Sequence, residues 1–369
     1  MERLLIALRP DNFTPPSRTP WGGTRLLAKY KANLPLSEEK SSFSVVGESW
    51  ELSVEPDFPS VTADGRLLAD LLASDPLLML GREAELGRSA TALLVKLLDA
   101  GDDLSIQIHP ANGYAGLKPG ESGKAEAWYI VERDPGAGIY LGITPGVTEA
   151  MVREALERGA DLAPLLHFIP VEPGDLFVIE PGIPHSLGKG VTLVEPQFVA
   201  PGSRSVTYRY WDWDRRYDSD GRLQPEGGRP RALHVQHALA VTDWAGAAGD
   251  RLLRQCRLAA GAARTDADAR LELLCDARGP GGVRCSRLRA ARLSGTGAER
   301  IPDWNALRAL TVLQGRAVLL DRTSQLVVSG GQTVALAAGA GSVEVHLQQA
   351  HALLCAVDEP AGDGAGGTP

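Results

Sequence analysis

The segment Leu93–Pro110 constrains the fold more than any other part of this chain, because it ends in the alternating pattern Ser-Ile-Gln-Ile-His-Pro. In an extended strand, residues two apart point to the same face, so Gln107 and His109 project together while Ile106 and Ile108 project to the other side. The pattern therefore predicts a β-sheet protein in which one strand presents two side chains that could bind a metal.

Two later segments supply further metal-binding side chains. Gly123–Ile130 contains Glu126, and Pro181–Gly190 contains His185. His185 follows an apolar run and a Pro-Gly turn, so we expect it to begin a new strand. One amide, one carboxylate and two imidazoles form a donor set that suits a divalent ion. The sequence thus predicts a metal site made of Gln107, His109, Glu126 and His185.

The order of these residues resembles the metal-binding signature of the cupins. Gly101 precedes the first ligand position, and Gly174, Gly182 and His185 keep the spacing of the second half of that signature. Two features depart from it: Gln107 stands where a histidine is usual, and the segment between His109 and Glu126 is longer than the common pattern. The resemblance implies a jelly-roll barrel around the metal.

Longer motifs resemble the type I phosphomannose isomerases, in particular their short bacterial form. They follow the order of that family over roughly the first two thirds of the chain, and comprise WGGTRL (Trp21–Leu26), GESWELS (Gly47–Ser53), Leu93–Pro110, GKAEAWYI (Gly123–Ile130), VEPGDLFVIEPGIPHSLGKGVTLVEPQ (Val171–Gln197) and SVTYRYWDWDR (Ser205–Arg215). The resemblance implies a metal-dependent aldose-ketose isomerase that interconverts D-mannose 6-phosphate and D-fructose 6-phosphate through a cis-enediolate. Zn²⁺, one per chain, suits the predicted ligands best, although iron, manganese or cobalt would fit the same set.

Three further residues are candidates for catalysis. Arg209 matches an active-site arginine of the family and could hold the phosphate or stabilise the enediolate; the alternative is an ion pair with a neighbouring acid such as Asp212, Asp214 or Glu195. Lys124 stands two residues before Glu126, so both would face the metal, and it could bind phosphate, act as a base or remain solvated. Glu195 corresponds to a family carboxylate and is the other candidate base. The sequence does not rank Lys124, Glu195 and a metal-bound water.

The segmentation of the sequence indicates two cupin barrels, with a few helices inserted in and packed on the first. Residues 1–245 form the predicted catalytic domain, with helical segments near 67–80 and 148–168, where Asp75-Pro76 interrupts the first and Thr148 caps the second. In residues 246–358, the spacing of Gly331, Gly339 and Ser342 repeats that of Gly174, Gly182 and His185. Ser342 replaces the histidine and Ala309 stands where the first barrel has Glu126, so this predicted second barrel lacks metal ligands. Residues 359–369 are a predicted flexible tail.

Composition excludes several classes of partner. A net charge of -8 argues against nucleic acid. No apolar run approaches the ~20 residues that span a bilayer, and the N-terminus does not read as a secretory signal, so we expect a cytoplasmic location and no membrane partner. The four cysteines have no C-x-x-C pair and are predicted to be reduced, buried thiols. The expected partner is a small sugar phosphate, and the chain could be a monomer or a homodimer.

Two other functions compete with the isomerase. An oxygen-activating metal cupin usually has three histidine ligands, and Gln107 together with the nearby Lys124 and Arg209 disfavours it. A cupin that binds a sugar phosphate without turnover stays open, because the segment Phe198–Ser205 could displace Arg209.

Overall fold

A computed structural model of the protein describes residues 3–260, 268–279, 282–321 and 324–359. Strands account for 40% of the residues and helices for 16%, which confirms the prediction of a mainly β fold with few helices. Within these ranges, no helix combines the length and the apolar character needed to cross a bilayer. The division into two cupin barrels stays a prediction.

The strands form four sheets, and their bounds in chain order are β1 (Leu5–Ala7), β2 (Glu48–Leu52), β3 (Leu93–Asp99), β4 (Ile106–Ile108), β5 (Glu121–Ser122), β6 (Lys124–Arg133), β7 (Gly138–Ile143), β8 (Leu166–Pro170), β9 (Leu176–Ile179), β10 (His185–Leu187), β11 (Val191–Val199), β12 (Arg204–Ser205), β13 (Tyr208–Trp211), β14 (Arg257–Leu258), β15 (Arg270–Asp276), β16 (Val283–Arg284), β17 (Leu288–Ile301), β18 (Arg308–Leu320), β19 (Gln325–Ser329), β20 (Thr333–Leu336) and β21 (Val343–Val357). The α-helices are α1 (Glu38–Ser41), α2 (Leu68–Ser74), α3 (Pro76–Leu80), α4 (Arg82–Glu85), α5 (Glu149–Glu157), α6 (Val235–Val241) and α7 (Gly249–Cys256). A π-helix spans Leu26–Tyr30, and 3₁₀ turns span Ala163–Leu165 and Ala338–Ala340.

Two antiparallel sheets of the first part pack face to face. The six-stranded sheet has the order β14-β9-β6-β11-β3-β2, and the five-stranded sheet has the order β13-β4-β10-β7-β8. Leu98 and Ile130 of the six-stranded sheet share a buried cluster with Leu141 and Leu187 of the five-stranded sheet. Because side chains alternate along a strand, Lys96 lies on the same face as Leu98, and Glu126 on the same face as Ile130. The interior is therefore apolar at one end and charged at the other.

An eight-stranded sheet covers the opposite face of the six-stranded sheet. Its order is β1-β20-β18-β21-β17-β15-β16, with β19 paired to β18. Val95 and Tyr129, on the outer face of the six-stranded sheet, share a buried cluster with Leu288 and Leu353 of the eight-stranded sheet. Burial on both faces explains why β3 is apolar almost throughout instead of alternating. The four cysteines are all buried and free, as predicted.

A buried ion pair also links the six-stranded sheet to the eight-stranded sheet. Lys31 Nζ lies 2.6 Å from Glu51 Oε1 and donates a hydrogen bond of 2.6 Å to the carbonyl oxygen of Gly331. Glu51 Oε2 accepts a hydrogen bond of 2.7 Å from Thr333 Oγ1. Neither charged side chain is more than 2% exposed, so each charge depends on the other for compensation.

The helical segments are shorter than predicted. As expected, Asp75 separates α2 from α3, accepting a hydrogen bond from the Leu78 amide, and Thr148 caps α5 through the Met151 amide. The segment 148–168 is not one helix, however: α5 ends at Glu157, Gly159 adopts a φ of 63°, and the chain is already in β8 from Leu166. Glycine adopts this left-handed conformation at little cost, so it ends the helix.

Long-range pairing also modifies the predicted domain limits, although the boundary near residue 245 stays a prediction. Strand β1 pairs with β20, so residues 5–7 lie in the eight-stranded sheet and not with the rest of 1–245. Glu359, the first residue of the predicted tail, is buried and forms ion pairs with Arg88 and Arg287. Residues 360–369 lie outside the described residues.

Candidate active site

The four predicted metal ligands converge between the six-stranded and five-stranded sheets. Gln107 lies on β4, His109 directly follows that strand, Glu126 lies on β6 and His185 begins β10, as predicted. One ligand atom from each of His109, Glu126 and His185 lies within 4.8 Å of the other two. The side-chain amide nitrogen of Gln107 lies 3.5 Å from His185 Nε2. Residues up to 78 positions apart are thus brought to one point.

Strand register explains why Gln107 and Arg209 reach this point. Gln107 pairs directly with His185 on one side and with Arg209 on the other, because β4 lies between β10 and β13. Directly paired residues of antiparallel strands place their side chains on the same face. A single pairing of strands therefore brings together Gln107 and Arg209, which lie 102 residues apart in the sequence.

The two imidazoles are oriented as a divalent cation requires. His109 Nδ1 lies 3.1 Å from the carbonyl oxygen of Val206, and His185 Nδ1 lies 2.8 Å from that of Ile183. Each neutral ring donates its proton there, so both Nε2 lone pairs face each other across 3.1 Å. Glu126 Oε1 is buried and accepts no hydrogen bond. Two nitrogen lone pairs that repel each other and a carboxylate oxygen without a hydrogen bond are what a bound cation between them would satisfy.

The protonation states of these groups also suit a metal. Burial lowers the pKa of His109 to about 3 and lowers that of His185, so both rings are neutral at pH 7. Burial disfavours the Glu126 carboxylate, but the Lys124 ammonium beside it holds its pKa well below the ordinary range. The cluster therefore offers two lone pairs and one negative charge at neutral pH.

Lys124 and Glu195 lie beside the four predicted ligands, and they differ in whether they can exchange a proton near neutral pH. Lys124 Nζ is 3.2 Å from Glu126 Oε2, and although burial opposes its charge, Glu126 and Glu195 raise its pKa. Glu195 is buried and accepts a hydrogen bond of 2.8 Å from Trp128 Nε1. Burial, followed by repulsion from Glu126, raises the pKa of Glu195 to about 7. Lys124 is thus a permanent cation, and Glu195 can exchange a proton near neutral pH.

Arg209 does not form any of the ion pairs that its neighbours in sequence suggested. Asp212 pairs with Arg215 and Arg231 instead. Among the described residues, the Arg209 guanidinium has no hydrogen-bond or ion-pair partner, and its buried Nε is unsatisfied. Burial, followed by repulsion from Arg231, lowers its pKa. A half-buried cation without a partner is typical of a binding site for an anion.

Arg209 lines a pocket of about 120 Å³ whose wall also includes Gln107, Lys124 and Glu195. Several of the other lining residues were not predicted from the sequence, among them Arg18, Lys96 and Arg231. Lys96 could have been predicted as a functional candidate, because a lysine within the apolar strand β3 needs a nearby opposite charge when it is buried. Its Nζ lies 3.6 Å from Glu48 Oε2 and 4.0 Å from Glu195 Oε2.

Comparison with protein families agrees with this geometry. Residues 17–134, which contain three of the four predicted ligands, match the phosphomannose isomerase type I catalytic domain. This part of the chain is similar to the catalytic domain of type I phosphomannose isomerases. The resemblance predicted from the sequence motifs is thereby confirmed.

Curated mannose-6-phosphate isomerases align with about three fifths of the chain. The mannose-6-phosphate isomerase of Streptococcus mutans is 36% identical over 227 residues, which are 60% of this chain and 63% of that protein. The mannose-6-phosphate isomerase ManA of Bacillus subtilis is 32% identical over 228 residues, 60% of this chain and 64% of that protein. The alignment therefore spans a little under two thirds of each relative.

Solved isomerase structures share the fold over almost the whole chain. The Bacillus subtilis mannose 6-phosphate isomerase superposes with a TM-score of 0.72 at 24% identity, covering 95% of this chain and 99% of that one. A mannose 6-phosphate isomerase bound with zinc and yttrium superposes with a TM-score of 0.66 at 13% identity, covering 97% and 100%. The fold similarity thus extends beyond the region of clear sequence identity.

Proposed function

We propose that the protein is a metal-dependent isomerase that interconverts D-mannose 6-phosphate and D-fructose 6-phosphate. The observation that carries this proposal is that two kinds of unsatisfied group lie at or directly beside one pocket. Glu126 and two imidazole lone pairs, which border Lys124 and Gln107 of the pocket wall, require a cation. The guanidinium of Arg209, in the same wall, requires an anion. A phosphorylated sugar that is polarised beside a metal meets both requirements.

Gln107, His109, Glu126 and His185 would hold one divalent ion, with Zn²⁺ favoured by the nitrogen and oxygen donors. When bound, the ion stabilises the negative charge that develops on the carbonyl and hydroxyl oxygens of the sugar. The carbonyls of Val206 and Ile183 fix the two rings in the tautomer that leaves Nε2 free for the metal. The Gln107 side chain can present its oxygen by rotating its amide group.

Glu195 is the group best suited to move the proton. In the aldose-to-ketose direction, it would accept the proton from C2 of the open-chain sugar, giving a cis-enediolate. The hydroxyl proton would pass from O2 to O1, and Glu195 would return its proton to C1, which leaves the carbonyl at C2. A carboxyl group with a pKa of about 7 is poised for both steps. The hydrogen bond from Trp128 fixes its orientation. Lys124 stays protonated beside Glu126, so it contributes a positive charge and not a base.

A metal-reconstitution assay tests the proposal. The purified chain is treated with a chelator, given back single metals and offered mannose 6-phosphate while fructose 6-phosphate is detected by a coupled enzyme. We expect turnover to disappear with the metal and to return with Zn²⁺ or a similar divalent ion. His185→Ala should abolish this recovery, whereas His346→Ala should not, because His346 is exposed on β21 and pairs with Glu344.

The same experiment distinguishes a cupin that only binds the sugar phosphate. If mannose 6-phosphate stabilises the metal-loaded chain against heating but is not converted under any metal, the protein binds the substrate without turnover. If recovery after metal addition is equal in wild type and His185→Ala, the assignment of the metal site is wrong.

A further inference from the structure

We propose that Arg18 binds the phosphate of the substrate together with Arg209, so that the phosphate lies at the mouth of the pocket and C1 and C2 lie at its inner end. This assignment rests on the proposed isomerase function, since it names how that substrate is oriented. Arg18 and Arg209 come from distant parts of the chain, one from the loop before Trp21 and one from β13, and both line the same pocket.

The distribution of charge in the pocket supports this orientation. At the inner end, the lysines are compensated by carboxylates: Lys124 by Glu126, and Lys96 by Glu48. Positive charge is in excess around Arg209, which has no partner among the described residues, and the exposed Arg18 lies where the pocket opens to solvent. A phosphate dianion would gain little beside the compensated lysines and more beside Arg209 and Arg18.

Arg231 does not share this role, although it also lines the pocket. Its Nε and Nη2 donate hydrogen bonds of 2.7 and 2.6 Å to the two oxygens of Asp212. A guanidinium bound in this two-point manner has its charge compensated already. Arg231 therefore holds Asp212 in position, and Arg18 is the cation with capacity for a ligand.

Arg18 is held in place by contacts that leave its charge available. Its guanidinium carbon lies 4.8 Å from the ring centre of Phe58 and 5.8 Å from that of Trp50. Its nearest acid, Asp57, is 3.9 Å away and is engaged by Arg204 through hydrogen bonds of 3.2 Å to both oxygens. The Arg18 side chain is 47% exposed. Stacking on two rings orients the group without neutralising it.

The test compares Arg18→Gln with wild type in two independent assays. In the isomerase assay, we expect KM for mannose 6-phosphate to rise at least about tenfold while kcat changes by less than about threefold, because the lost contact is remote from C1 and C2. In a calorimetric titration with inorganic phosphate, affinity should fall by a similar factor. Arg18→Lys should recover part of both losses, since it restores the charge but not the planar fork.

Arg222→Gln is the matched control, because Arg222 is an exposed arginine that pairs with Asp220 and does not line the pocket. It should leave KM and phosphate affinity unchanged. If Arg18→Gln alters neither quantity by more than twofold, Arg18 does not bind the phosphate. If wild type shows no turnover with any metal, the proposed function fails, yet the phosphate titration still decides the role of Arg18.

Discussion

Arg308 occupies the position in the eight-stranded sheet that Glu126 occupies in the six-stranded sheet. Each pairs with the last residue of a four-residue strand, Ile179 for Glu126 and Leu336 for Arg308, and each pairs on its other side with a long strand near its C-terminal end. In the second sheet, a guanidinium therefore stands where the first has a carboxylate. Its nitrogens donate hydrogen bonds to the carbonyls of Pro302, Ala337 and Gly341.

We predict that Arg308→Met lowers the free energy of unfolding by about 2 to 4 kcal/mol, because buried carbonyl oxygens lose their donors. Chemical denaturation measures the effect. Arg316→Met is the control on the same strand, and since Arg316 is exposed, its loss should stay below about 0.5 kcal/mol. An Arg308→Met protein as stable as wild type would show that other donors replace the guanidinium.

The buried pair of Lys31 and Glu51 should be sensitive to the loss of one partner. Glu51→Ala leaves the buried ammonium of Lys31 without a carboxylate and should destabilise the fold by about 3 to 5 kcal/mol. The double variant Lys31→Met/Glu51→Leu should lose less than Glu51→Ala, because no charge remains uncompensated. Thermal and denaturant unfolding of both variants, with the exposed Glu38→Ala as control, would check this order. Equal losses in the single and double variants would contradict it.

Arg209→Ala should lower kcat/KM for mannose 6-phosphate by at least about 100-fold, the loss expected when a preorganised cation at the reacting or anchoring end of a substrate is removed. Steady-state kinetics at saturating metal measure this ratio. Arg229→Ala removes an exposed arginine and should have no such effect. A decrease of less than threefold would show that Arg209 is peripheral.

The pH dependence of kcat/KM should reveal Glu195. Its pKa is raised to about 7, so below that pH it is protonated and unable to accept a proton from C2. Activity should therefore fall on the acidic side. A metal bound at Glu126 offsets the repulsion that helps to raise this pKa, so the acidic limb in the loaded enzyme should lie between 4.5 and about 7. Glu195→Gln should abolish most activity; if it keeps both the activity and the same acidic limb, another group is the base.

Much of the candidate site could be predicted from short-range patterns. The two-residue spacing of Gln107 and His109, the turn before His185, the interruption at Asp75-Pro76 and the cap at Thr148 are all local features, and the structure contains each of them. Their common property is that a few neighbouring residues fix the backbone, so no knowledge of distant strands is required.

Other features required the pairing of strands. The position directly before a strand-like run matched Ala309 to Glu126, but the strand register matches Arg308 to Glu126. A shift of one residue reverses the face on which a side chain lies, so the prediction of Ala309 was wrong. Likewise, nothing near Arg18 in the sequence indicates that it shares a pocket with Arg209.

The sequence by itself determined the mainly β class, and it indicated the four candidate ligands and the similarity of residues 17–134 to type I phosphomannose isomerases. Alternation, turns and short motifs depend only on neighbouring residues, so they can be recognised without the fold. Only the tertiary structure decided which charges are compensated. Asp212 binds Arg215 and Arg231 and leaves Arg209 without a partner, and Lys96 and Lys124 meet carboxylates from other strands. Electrostatic pairing depends on distances of a few ångströms between side chains, and only the folded sheets set those distances.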